Sequence, residues 1–228
     1  MNDDFCYVCL KWGTKYSAEY VNKLVRMIRK WNITPVDIYC YTDDPTGIDG
    51  SIGIIPIQSN AYETWWYKLP LLVEPALGQY RTKILLDLDV VIHNNISNLH
   101  TYACDNLVVC RSFWKNPQIL SDTREKNTLY NSSVMVWTDA SYVYEHFRTD
   151  PERFMAIYKG IDRFLWYEPL TIDTLPQDIV YSYRRGATLH DTRSFVKRDN
   201  YAIALFHGTP KQTDMVDDPL VKEYWNEL

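Results

Sequence analysis

The stretch Lys83–His93, KILLDLDVVIH, decides how this chain folds. Aliphatic and β-branched residues fill both its ends, the composition of a buried strand. Two carboxylates, Asp87 and Asp89, stand in its middle. An ionised carboxylate in a dry core is strongly unfavourable unless a cation meets it. The strand therefore leaves the core for a site, or something positive waits there. In extended chain, residues two apart share a face. Asp87 and Asp89 would then point the same way, with Leu88 opposite, and offer hard oxygen ligands to magnesium, manganese or calcium. The competing reading is structural: one aspartate caps a turn, or pairs with Lys83 or Arg81.

Working outward, the elements alternate. FCYVCLKWG predicts a short buried strand. YSAEYVNKLVRMIRKW predicts an amphipathic helix, with Ser17 as N-cap and Val21, Leu24, Val25 and Ile28 on one face. PVDIYCYTDD and SIGIIPI predict two more strands, and LPLLVEPAL a helix with Pro70 in its first turn. This order predicts an α/β domain with a mostly parallel sheet, and ligands then bind at the carboxyl ends of the strands. Farther on, NLVVCRSFW, SSVMVWT, DIVYSYRRG and NYAIALFHGT predict strands, ASYVYEHFR and PERFMAIYKG helices, and DPLVKEYWNEL a terminal helix capped by Asp218. No linker interrupts the pattern, so one domain over 1–228 is expected, with 1–92 as nucleotide-binding half and 93–228 completing the site.

Composition narrows the function. At a net charge of −5, the chain is not expected to bind nucleic acid in general. The 18 tyrosines and 8 tryptophans serve packing first, with faces to spare for sugars or bases. Of five cysteines, Cys6 and Cys9 have CxxC spacing, but inside a strand rather than on a turn, so reduced buried thiols in a cytoplasmic protein are expected. The acidic start MNDDF lacks a basic leader, and no apolar run approaches the ~20 residues of a membrane span. IALFHGTPK repeats the logic of the opening stretch: an apolar strand ending in His207, Gly208 and Lys211. Taken alone, His207 reads as structural. Beside two carboxylates, an imidazole makes manganese a suitable ion.

Taken in order, these stretches resemble the nucleotide-sugar glycosyltransferases of the GT-A fold, and among them the retaining, family-8-like enzymes. VCLKWGTKY is similar to their first strand and nucleotide loop, YCYTDD to the second strand, WWYKLPLL to the helix carrying a basic residue to the donor. LLDLDVV is similar to their metal-binding strand, LYNSSVMVW to the segment beyond the donor sugar, and FHGTPK to the C-terminal element. The resemblance spans about Cys6 to Lys211. In FHGTPK the histidine and glycine are adjacent and glutamine follows the lysine, which departs from the family's spacing.

The resemblance implies a single Rossmann-like domain and transfer of a sugar from a nucleotide diphosphate, UDP before others, to a hydroxyl-bearing acceptor such as a glycan. It implies Mn2+ or Mg2+ held by Asp87, Asp89 and His207. It implies donor contacts from Lys11, Trp12, Gly13, Tyr16, Asp43, Lys68, Leu88, Gly208 and Lys211. Asn131, Ser132 and Asp178 fall on the sugar or acceptor side, and Asp162 is the candidate catalytic carboxylate, its bland alternative being a helix N-cap. Two other classes compete. In a haloacid-dehalogenase-type phosphatase, Asp87 would be nucleophile, with Asp217 and Asp218 as a late acidic pair. A nucleotide- or glycan-binding module would bind without turnover.

Overall fold

The computed structural model describes residues 4–58, 61–117, 128–191 and 193–227. The chain opens with β1 (Phe5–Lys11), α1 (Ala18–Trp31), β2 (Asp37–Thr42) and β3 (Gly53–Pro56). It continues through α2 (Lys68–Leu71), β4 (Thr82–Leu86), β5 (Val90–Ile92), β6 (Leu107–Arg111) and β7 (Tyr130–Trp137). Helices α3 (Ser141–Phe147), α4 (Pro151–Ile157) and α5 (Ile161–Tyr167) precede β8 (Ile172–Thr174), β9 (Val180–Ser182), β10 (Ile203–Leu205) and α6 (Pro219–Val221).

Seven strands form the central sheet in the order β3-β2-β1-β4-β7-β6-β8. β7 pairs antiparallel with both neighbours, and every other pairing in this sheet is parallel. Strand alternation divides the core between two faces. Phe5, Tyr7 and Cys9 pack with Val21, Leu24, Val25 and Ile28 of α1, the stripe expected from the helix period. Ser17 stands at the N-cap of α1, although its side chain makes no capping bond. Cys6 and Val8 face the other way, toward Trp66, Leu69, Phe147 and Phe164. The CxxC pair is thus split between opposite faces, and both cysteines are buried free thiols.

Two expectations change. LPLLVEPAL is not one helix: a 3-10 turn (Thr64–Tyr67) leads into α2, and a second 3-10 turn (Pro75–Leu77) follows. Pro75 lacks the N–H that a continuing helix would need and sits where a new turn starts. The larger change concerns the opening stretch. It is not one strand but two, in different sheets. β4 ends at Leu86, the chain turns through Leu88 and Asp89, and β5 begins a three-stranded sheet, β5-β10-β9. The N–H of Asp87 donates to the Ser133 carbonyl at 2.9 Å, and the N–H of Phe206 donates to the Asp89 carbonyl at 2.9 Å. The two aspartates therefore occupy the seam between the sheets, and the aliphatics on each side serve separate strands. At the far end, Asp218 caps α6 as expected, accepting from the N–H groups of Leu220 and Val221.

Candidate active site

A cleft lies along the carboxyl ends of β1 and β4, the edge at which open α/β sheets bind ligands. It has two connected cavities. The first, of about 400 Å³, runs from Leu10 and Trp12 past Tyr16, Thr64 and Trp65 to Lys68, Asp87, Leu88 and Asp89. The second, of about 640 Å³, shares Lys15, Trp65, Lys68 and both aspartates. It extends between Asn131, Ser132 and Asp162 on one side and His207, Gly208 and Lys211 on the other.

Each seam aspartate meets a lysine. Lys68, only 4% exposed, places Nζ 2.6 Å from Oδ1 of Asp87. It also donates to the Ser132 carbonyl at 2.9 Å. Burial raises the Asp87 carboxyl above the ordinary carboxylate range; Lys68 opposes this, and the charge of Asp89 adds to it. Oδ2 of Asp89 accepts from Lys211 Nζ in a short ion pair, and from the Tyr16 hydroxyl at 2.9 Å. Lys211 also donates to the Phe206 carbonyl at 2.9 Å. His207 stacks on Trp114 with ring centroids 5.7 Å apart, and its Nε2 lies 2.7 Å from the Ser182 hydroxyl. Burial first, and the nearby Arg185 charge next, push this imidazole down to about 4, so it is neutral at neutral pH.

The donor types suit a divalent ion: two carboxylates that repel one another and a neutral imidazole, all lining one chamber. Each lysine bonds one carboxylate oxygen of its aspartate, so the other oxygen of each lies outside the ion pair. Among the described residues, no three carboxylate, imidazole or thiol groups are already drawn together as a ligand set.

Asp162 lies in the first turn of α5, whose N-cap is Gly160, so the capping alternative does not hold. Its Oδ1 reaches β7 and accepts the Ser132 N–H at 2.9 Å. Ser132 and its neighbours face the chamber because of a register break. Val109 pairs with Met135, yet Cys110 pairs with Asn131, which leaves Ser132, Ser133 and Val134 bulged from the ladder with β6, while Val134 still pairs with Leu86 of β4. Asn131 is a strand residue rather than a turn former, and its Oδ1 accepts the Ser133 N–H at 3.1 Å.

Other sequence-derived residues stand outside both cavity walls. Lys11 is buried and donates to the Asp44 carbonyl at 3.1 Å. The Asp43 carboxylate accepts the Gly13 N–H at 3.1 and 3.0 Å, which fixes the loop that carries Trp12 and Tyr16. Gly13 has φ +62°, a conformation glycine adopts freely. Asp178 is exposed and lines neither cavity. Tyr181 and Tyr183 pack in the core, and Asp218 accepts from the Tyr183 hydroxyl at 2.8 Å. Asp218 is thus engaged away from the cleft, and nothing here favours the phosphatase arrangement.

Several wall residues escaped the sequence reading. Lys15, Thr64 and Trp65 line the first cavity, and Lys115, Lys159 and Arg163 the second. Trp65 lies within WWYKLPLL, and nothing in that stretch marks it as the ring that is 40% exposed at the mouth. Thr64 has φ +53°, unusual for a β-branched residue, and such strain clusters at ligand sites.

No protein-family model matches the chain, and no curated protein matches it by sequence. Solved structures do match. One is the galactosyltransferase LgtC, crystallised with donor and acceptor sugar analogues. It is 12% identical at a TM-score of 0.59, over 90% of this chain and 88% of that one. An active-site mutant of LgtC matches at 14% identity with the same coverage and TM-score. The likeness shows a shared fold, the GT-A arrangement of a mostly parallel mixed sheet flanked by helices.

Proposed function

We propose that this protein is a glycosyltransferase that moves a sugar from a nucleoside diphosphate, UDP in the first instance, to a hydroxyl-bearing acceptor. The observation that carries the reading is the continuity of the cleft. An aromatic slot with Trp12, Tyr16 and Trp65 opens onto two carboxylates and two lysines, and then into a wider polar chamber. That sequence of surfaces matches a base, a diphosphate and a sugar laid end to end. LgtC, with the same fold, was crystallised with donor and acceptor sugar analogues, which supports the assignment.

The chain's own groups have distinct tasks in this reading. Trp12 or Tyr16 stacks on the base. Lys68 and Lys211 stand where negative charge grows on the departing diphosphate, the change a transferase must stabilise. Asp87, Asp89 and His207 would hold the divalent ion, which when bound neutralises diphosphate oxygens. Asp162 faces the donor sugar, oriented by the Ser132 N–H, and supports positive charge at the anomeric carbon. Transfer with retention is the expected stereochemistry.

The test is a thermal-shift and product-release experiment with UDP and a panel of UDP-sugars, with and without Mn2+. A ligand that binds only the native state raises apparent stability by mass action. The expected result is a shift that needs the metal, with release of UDP from one sugar donor. Absence of any shift with every nucleotide and metal would overturn the reading. Binding without turnover across a broad acceptor panel would leave the binding-module class standing instead.

A further inference from the structure

The far chamber carries more positive charge than the proposed diphosphate accounts for. Its wall includes Lys15, Lys68, Lys115, Lys159, Arg163 and Lys211, against Asp87, Asp89 and Asp162. Lys68 and Lys211 are matched to the two seam aspartates. Lys15 also lines the first cavity, on the side of the base and diphosphate. Among the described residues, Lys115, Lys159 and Arg163 remain at the opposite end, with Asp162 as the nearby acid.

None of these three makes an ion pair with a described residue. Lys115 Nζ donates to the neutral Thr128 carbonyl at 2.8 Å. Burial lowers its affinity for its proton, Asp162 opposes this, and the charges of Arg185 and Arg163 add to the lowering. Arg163 gives the more specific sign. Its Nη1 is buried and has no hydrogen-bond partner among the described residues. A buried guanidinium donor left unpaired is costly, and charged groups cost more than neutral ones. Such a group calls for an explanation, and a bound ion is one that the chamber's position offers. A guanidinium fork with an ammonium beside it fits a carboxylate or a phosphate ester.

We propose that the chamber's far end binds an anionic sugar, one bearing a carboxylate or phosphate ester that Arg163 and Lys115 hold. The inference rests on the glycosyltransferase reading and narrows its substrate class. The anion has two sources: the transferred sugar, as in a uronic-acid donor, or the acceptor.

Two arms separate them, both using the full chain with Mn2+. In the first, UDP-glucuronic and UDP-galacturonic acids are compared with UDP-glucose and UDP-galactose by calorimetry. In the second, UDP release from neutral donors is measured with glucose and galactose against glucuronic acid and glucose 6-phosphate as acceptors. The charged partner is expected to win by at least tenfold in one arm. Arg163→Gln and Lys115→Met should each remove most of that preference, while UDP alone binds each variant as it binds the parent. UDP binding with no preference for charge in either arm overturns this inference and leaves the transferase reading intact. A preference that survives both substitutions overturns the assignment to these two residues. Failure of the parent protein to bind UDP at all removes the reading underneath.

Discussion

The two ends of the cleft are built from different parts of the fold, and they differ in chemistry for that reason. The first cavity sits on β1, β4 and the turn into α2, in the parallel part of the sheet, and aromatic rings shape it. The second is closed by β7, which runs antiparallel to its neighbours in the central sheet, by α5 and by the chain beyond β10, and charges shape it. A parallel strand delivers its last residue to the same edge as its neighbours, so strand ends alone build the base-side slot. An antiparallel strand cannot do this. β7 enters from the cleft edge, and only its bulge turns Ser132 and Ser133 toward the chamber. The site is continuous because the seam at Asp87–Asp89 belongs to both ends.

The largest effects should fall on that seam, and they should separate its two aspartates. Asp87→Ala leaves Lys68 charged at 4% exposure with its carboxylate gone. Breaking a buried pair in this way costs about 3–5 kcal/mol, which urea denaturation should register. Asp89→Ala leaves Lys211 at 16% side-chain exposure, still bonded to the Phe206 carbonyl. Its stability loss should be clearly smaller. Its effect on turnover should be large, about 10²–10³ in kcat/KM, the scale for removing one group that stabilises transition-state charge. Equal stability losses for the two variants would mean that the seam is not asymmetric as described.

Next in size is the contrast between the ends themselves. Trp12→Ala removes a ring from the base slot, and base stacking on an aromatic contributes about 1–3 kcal/mol. UDP affinity should fall roughly tenfold, by the rule of ~1.4 kcal/mol per decade. Trp12 sits 6.1 Å from the Tyr67 ring, so some of the loss could come from repacking. Trp12→Phe controls for that and should recover most of the affinity. If UDP binds the alanine variant unchanged, the base does not lie in this slot.

How much of this was legible in the sequence follows the same division. β1 to β4, the stripe on α1 and the choice of Asp87, Asp89 and Lys211 as candidates follow from local signals: period, caps, and charge placed inside or at the end of apolar runs. Lys68 stands out only through the family resemblance. The charge inside KILLDLDVVIH is legible but the change of sheet is not, because the aspartates that favour a turn there read equally as ligands on one extended strand. The bulge at Ser132–Val134 is set by pairing with β6, which lies some 20 residues away, so no window on β7 reveals it. Lys115, Lys159 and Arg163 read as ordinary surface cations until folding gathers them. Asp43 and Lys11 are donor contacts only by the resemblance; in the structure Asp43 holds the Gly13 N–H and Lys11 the Asp44 carbonyl, bonds between the ends of β1 and β2 that no local sequence pattern announces.

The last contrast, in the pH dependence of stability, is between two buried imidazoles, one shortly after β5 and one shortly after β10. His207 and His93 are both pushed down to about 4, mainly by burial. His207 faces the chamber. His93 faces the rings of Tyr181 and Tyr224, with Lys197 lowering it further and a backbone hydrogen bond and Asp199 opposing. It therefore reports on folding alone. As pH falls below 6.5 the unfolded chain takes up this proton, while the folded form resists until about 4. Unfolding thus binds protons across that window, so stability falls as pH falls, by up to about 1.4 kcal/mol per unit. Below the window both states are protonated and the contribution is flat. Between pH 7 and pH 5, His93→Leu should lose roughly 2 kcal/mol less stability than the parent, measured by urea denaturation at each pH. His207 and the carboxylates titrate in both proteins and cancel in the difference. Parallel losses in parent and variant would mean that His93 accepts its proton in the folded state at an ordinary pH, and that its surroundings are more polar than the packing of those tyrosines indicates.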